Sequence, residues 1–140
     1  MNNKGVKSVI VVDKNLPLGM IANTVSILGM SLGKQNPELV GCDTPDKDGN
    51  IHLGITEIPI PVLMTDSEKI QELRIKLFEK TYEKLKVIDF SSLAQSCMIY
   101  EDYIKKMNDT KLSEIEYWGV AIYGDAKSVN TLTGSIPLLR

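Results

Sequence analysis

The 140-residue sequence predicts a single α/β domain, with a mixed sheet of about four strands and helices on both faces. Three observations carry this expectation. The run Val9-Ile10-Val11-Val12 lacks the alternation of a half-solvated strand and so reads as a strand buried on both faces. A stretch of helical period begins within a few residues of it, which makes the opening the first half of a βα unit. Strand and helix signals then alternate to Arg140.

The first helix is expected from about Leu18 to Gly33, with Ile21, Val25, Leu28 and Leu32 on the core face. Beside that stripe runs a line of small residues, Ala22, Ser26, Gly29 and Gly33, suited to close packing of helix on sheet or to a tight helix contact between two copies. Gly41 to Asn50 is rich in turn formers and precedes a strand-like stretch, Ile51 to Ile58, so a hairpin arm is expected around residues 40–58. Its connection is open between a two-residue turn at Asp48-Gly49 or Gly49-Asn50 and a three-residue loop. Pro59 and Pro61 lack ladder donors, so Ile60 to Thr65 begins irregularly before becoming the second main strand.

Thr65-Asp66-Ser67-Glu68 has the pattern of a capping box with Thr65 as the cap. The helix it opens is expected to reach about Lys84 and to bury Ile70, Leu73, Leu77, Phe78 and Leu85. Val87 to Phe90 is a short strand, after which Ser91 or Ser92 caps a helical stretch with Leu93, Cys97, Ile104 and Met107 on one side. Tyr117 to Tyr123 is the late strand, Gly124-Asp125 ends it and caps a helix through Val129 and Leu132, and Gly134 stops that helix before Ile136 to Leu139 closes the chain.

Composition narrows the function classes. With 16 basic against 18 acidic residues the net charge is -2, without the positive field on which non-specific nucleic-acid binding relies. No apolar run approaches the roughly 18 residues of a membrane span. Asp13, Lys14 and Pro17 interrupt the opening before a signal-peptide core can form, so a cytoplasmic protein is expected. Cys42 and Cys97 fit no C-x-x-C pattern and are expected as free thiols.

In a βα unit the chemistry sits at the carboxyl end of the strand, so residues 13–24 are the first place to look. Asp13 there could orient a partner, Lys14 offers a cation, and Asn23 could hydrogen-bond a substrate amide; the competing reading is that Asp13 and Asn15 form the turn and Lys14 is solvated. His52 is the single histidine, which excludes a multi-histidine metal site and leaves one side chain titrating near neutrality. Asp46, Asp48, Asn50 and Glu57 place oxygens at positions 1, 3, 5 and 12 of a calcium-loop template, but β-branched Ile51 stands where that loop needs glycine. An ordinary hairpin turn follows, and no metal or cofactor is expected. A Cys42–His52 dyad is disfavoured: a two-residue turn puts the two side chains on opposite faces, and a three-residue loop leaves them several pairs apart.

Val9-Ile10-Val11-Val12, Leu16, Gly19-x-Ile21-Ala22, Gly119-Val120-Ala121-Ile122-Tyr123-Gly124 and the closing Val129-x-x-Leu132-Thr133-Gly134-x-x-x-Leu138 resemble the type II peptidyl-tRNA hydrolase superfamily over nearly the whole chain. Asn-Leu-Pro-Leu-Gly-Met-Ile-Ala-Asn from Asn15 to Asn23, the arm with His52-x-Gly54, and the ending from Leu132 resemble its uncharacterised bacterial branch, domain of unknown function 2000. The resemblance implies a peptidyl-tRNA hydrolase II-like fold with a helical insertion around residues 91–113. It also implies a lost activity. Hydrolases of that fold carry Gly-Lys-Ile-Ala-Ala-Gln with a histidine shortly after; aligned on Gly19-x-Ile21-Ala22, Met20 replaces the lysine and Ile27 the histidine. A thioether and an alkyl group can neither bind a phosphate nor stabilise developing negative charge.

The expectation is therefore a binder of an unidentified small molecule in the retained cleft, using Asp13, Lys14, Asn23 and His52, with Asp43 as an outer member. Two alternatives stand beside it. One is a hydrolase of a small ester or amide that uses His52 as base or Asp13 to position water. The other is a non-catalytic homodimeric interaction module joined through the small-residue helix face.

Overall fold

The computed structural model describes residues 5–140. Along the chain its elements are β1 (Val6–Asp13), α1 (Leu18–Gln35), the short strands β2 (Thr44–Pro45) and β3 (Ile51–His52), β4 (Val62–Thr65) and α2 (Ser67–Lys76). There follow β5 (Lys86–Ser91), α3 (Ser92–Gln95), α4 (Tyr100–Asn108), β6 (Tyr117–Asp125) and α5 (Ala126–Thr133). The main sheet has the order β4-β1-β6-β5, with β1 parallel to β4 and antiparallel to β6, and β5 antiparallel to β6. From Ser8 onward every residue of β1 is buried, as a central strand covered on both faces requires.

Side chains alternate into two apolar layers. Ile10, Val12, Phe90 and Trp118 pack against Ile21 and Leu28 of α1 on one face. Val9, Val11, Val120 and Ile122 pack against Ile70 of α2 and Val129 of α5 on the other. The close approach of α1 to the sheet comes from the sheet side: a Cβ on Gly119 would stand 2.7 Å from Thr24 Cγ2 and 3.0 Å from Leu28 Cδ1. The small-residue line of α1 has a different setting from the packing role expected of it. Nothing lies within 4 Å of where a Cβ would stand on Gly29 or Gly33, while Ala22 and Ser26 are exposed.

The sheet edges are treated differently. The closing segment covers β4, with Leu139 N–H donating to Val62 O (2.8 Å) and Met64 N–H to Pro137 O (2.9 Å). β5 has β6 on one side and, among the described residues, no strand on the other.

Several element ends depart from the sequence expectation. Thr65 ends β4 as a buried residue paired with Asp13, and the cap of α2 is Asp66, whose carboxylate accepts from Lys69 N–H at 2.9 Å. With one residue serving the strand ladder, its neighbour takes the cap. α2 stops at Lys76 rather than Lys84 because the chain tightens into turns after Leu77, leaving Phe78 57% exposed beneath the Arg74 guanidinium, 3.7 Å from the ring centroid. The helical stretch after β5 is two short helices broken at 96–99, and Ile104 is exposed. Ser91 occupies the first cap position without a side-chain hydrogen bond.

The arm is a hairpin in which Thr44 faces His52 and Pro45 faces Ile51. Asp46 N–H donates to Asn50 O at 2.9 Å, so the connection is the three-residue loop Lys47-Asp48-Gly49. Gly49 takes φ +89°, a left-handed turn conformation that favours glycine. The base of the arm is tied by Gly41 N–H to Ile55 O and by Glu57 N–H to Leu39 O, both at 2.8 Å.

Candidate functional site

At the carboxyl end of β1, Asp13 is buried and its Oδ1 accepts from Asn15 N–H at 2.9 Å. That bond is an Asx turn, so the carboxylate shapes the connection to α1. Lys14 N–H donates to Thr65 O at 2.9 Å while its side chain is exposed. α1 then opens at Pro17 with no side-chain cap.

Asp43 and His52 find their partners inside the arm. Asp43 Oδ1 accepts from Gly54 N–H at 2.9 Å, and His52 Nε2 lies 2.9 Å from Asp46 Oδ2. The hairpin register explains the second contact: with Thr44 opposite His52, Asp46 is the diagonal neighbour of His52 on the same face. The carboxylate only accepts, so the imidazole donates. The hydrogen bond from His52, followed by those from the Asn50 backbone and side chain, holds the Asp46 carboxyl down at about 2. Among the described residues no side-chain hydrogen bond joins any two of Asp13, Lys14, Asn23, Asp43 and His52, and no group of three or more His, Cys, Asp or Glu is placed to hold a metal ion.

Asn23 leads to a different place. Its amide donates to Gln95 Oε1 of α3 at 3.1 Å. One helical turn further on lies Ile27, and another turn on Ser31, so the three share one face of α1. Ile27 and Ser31 line a cavity of about 360 Å³ between α1, the outer side of β5 and the α3–α4 segment. Phe90 and Ala94 form part of its wall, and Tyr103 of α4 and Met98 of the link before it line it as well. The rim leaves large apolar groups in water: Met98 is 99% exposed, Tyr100 71% and Ile99 56%. A soluble domain seldom leaves such a cluster open beside a concave surface without a use for it.

The polar groups near this cavity are few. Asp89 lines it and is also engaged by Arg74, whose Nε donates to Asp89 Oδ2 at 2.6 Å with both side chains largely buried. Burial, then the nearby Asp89 carboxylate, raises the Tyr103 hydroxyl above its ordinary pKa; the same two causes push buried Tyr117 up to about 12. Cys97 lines the cavity as a free thiol and donates to Leu93 O at 3.2 Å. The helical spacing of this stretch hides the cavity: nothing in the sequence pattern marks Ser31 or Asp89, and Tyr103 reads there as a core or rim aromatic. A signal was present: Cys97-Met98-Ile99-Tyr100 is an apolar run of no helical or strand period, which a soluble domain has little reason to expose.

On the opposite side, between α2 and the segment before β6, a wider groove of about 460 Å³ is lined by Glu68, Glu72, Glu114 and Glu116. Its field repels polyanions. No helix among the described residues is long and apolar enough to cross a membrane.

Fold and site together define a single-domain α/β protein with a mixed four-stranded sheet and a lateral, largely apolar cavity. The chain belongs to the family described as protein of unknown function (DUF2000), whose model matches residues 6–140. Among solved structures it is similar to the protein of unknown function Atu0240 from Agrobacterium tumefaciens str. C58, with a TM-score of 0.88, 18% sequence identity, and coverage of 97% of this chain and 98% of that one. At that identity the likeness establishes the fold. None of the curated proteins matches.

Proposed function

We propose that this is a binding domain for a small, largely apolar ligand, held in the cavity between α1, β5 and α3–α4, and that it does not hydrolyse peptidyl-tRNA. The observation that carries the reading is the 360 Å³ cavity whose apolar rim is left in water. Of the residues singled out in the sequence, Asn23 comes nearest in the chain, one helical turn before the cavity residue Ile27 and hydrogen-bonded to Gln95, the neighbour of the cavity residue Ala94. Asp13 serves the turn, and Asp43 and His52 brace the arm.

The peptidyl-tRNA hydrolase II-like fold, with α3–α4 as its helical insertion, belongs to the same proposal. It is supported by the order of elements and by the α1 face on which Met20 and Ile27 stand where that superfamily would carry a lysine and a histidine. Ile27 lines the cavity, so the proposal is an old site emptied of its charged groups and turned to apolar recognition. A net charge of -2 and the glutamate-lined groove favour a protein that leaves nucleic acid alone, and the cytoplasm remains the proposed location.

The test uses anilinonaphthalene sulfonate as an apolar probe. Trp118, the single tryptophan, lies edge-to-face with the cavity residue Phe90 at 6.1 Å between ring centroids, so bound dye should draw energy from it. Ile27→Asp places an unpaired charge on the wall and should weaken binding by about 10-fold or more, the equivalent of at least ~1.4 kcal/mol, with an unchanged circular dichroism spectrum. Equal dye affinity in the folded variant would refute the assignment of the cavity.

A second reading concerns the arm. Ile51, Leu53 and Ile55, every second residue along the returning limb of the arm, are 63%, 77% and 80% exposed. We propose that this stripe, rather than the small-residue face of α1, joins two copies into a homodimer.

A further inference from the structure

We propose that the outer edge of β5 recognises the main-chain amides of an extended peptide segment whose large apolar side chain enters the cavity. The inference deepens the ligand-binding reading and rests on it. Three consecutive residues, Ile88, Asp89 and Phe90, border the cavity. Their side chains belong to opposite faces of the sheet: Ile88 and Phe90 pack with the α1 layer, while Asp89 reaches Arg74 of α2. The one surface that residues of both faces share is the strand's outer edge, so the cavity runs along about 10 Å of that edge.

The edge is chemically unsatisfied. In an antiparallel ladder alternate residues turn both N–H and C=O away from the partner strand, so within 88–90 at least one residue aims a donor and an acceptor outward. Among the described residues no backbone group of Val87 to Phe90 bonds outside its pairing with β6, and no side chain bonds to one. The opposite edge, on β4, is paired by the closing segment of the chain. A donor and an acceptor on one strand edge beside an apolar hollow match an amide flanked by a hydrophobic side chain, the chemistry of strand addition. The lysine of this strand, a residue type that discourages edge pairing, stands at its start: Lys86, whose Nζ donates to Gln35 O at 2.8 Å.

The test compares acetyl-Val-Leu-Val-amide with the same tripeptide methylated on its backbone nitrogens, using the full chain. The first should bind, quench or shift Trp118 emission, and slow hydrogen exchange at one or more amides of Ile88 to Phe90. The methylated form, unable to donate, should bind at least 10-fold more weakly. Equal affinity of the two peptides, or binding that leaves those amides exchanging freely, overturns the proposal. If the apolar dye binds in an Ile27-dependent way and neither peptide does, the cavity reading stands and this one falls; if neither dye nor peptide binds, both fall. Protection of the same amides by concentration-dependent self-association without peptide would assign the edge to a second copy and overturn it as well.

Discussion

Asp46 shows how one side chain can serve several donors at once. It takes the backbone N–H groups of Asp48 and Asn50 and the Asn50 amide, and its second oxygen faces His52. A histidine that looks catalytic in the sequence is thereby given a structural partner six residues away. Because these bonds favour the ionised form, the contribution of Asp46 to holding the arm is fully present above the ordinary carboxyl value of 3.8 and is lost as pH falls through about 2. A carbon-detected titration of the Asp46 carboxyl should show its midpoint near 2, and His52→Ala should move it upward toward 3.8, since the imidazole hydrogen bond is the largest cause. An unchanged midpoint in that variant would mean that the contact does not persist in solution.

At the scale of elements, the arm is the piece whose sequence conflicts with its surroundings. β2 and β3 pair with each other, yet Ile51, Leu53 and Ile55 remain in water. An isolated two-stranded ribbon with an apolar stripe gains stability by covering it. Sedimentation should therefore show a dimer, and Leu53→Asp should convert it to a monomer with the sheet domain still folded. A wild-type monomer at high micromolar concentration would contradict the dimer reading. What the sequence made legible follows the strength of local signals. The unalternated Val9 to Val12 run, the α1 stripe and Asp125 as the cap of α5 all stand where their patterns put them. The end of α2 was not legible, because Leu77 and Phe78 continue the apolar period although the chain has already turned. Nor was the break between α3 and α4: Leu93 and Met107 pack on the core as their spacing suggests, but Cys97 between them lines the cavity and Ile104 is exposed.

For the whole molecule, the candidate site was the least legible part, and for a physical reason. Its walls come from three stretches far apart in sequence, around residues 27–31, 88–90 and 94–103, and no short motif joins them. A rule that looks at the carboxyl end of the first strand finds Asp13 and Lys14, whereas the concave apolar surface lies to the side, beyond the other edge of the sheet. Asn23 is the point where the two readings meet.

The proposed function has ligands entering between α1, β5 and α3–α4. Its most direct test is a backbone amide chemical-shift map recorded with a panel of small apolar metabolites. The account predicts that binding shifts cluster on Ile27, Ser31, Phe90, Ala94 and Tyr103 and spare Lys14 and His52. A cluster centred on Asp13, Lys14 and His52 instead, with the α3–α4 segment silent, would contradict it.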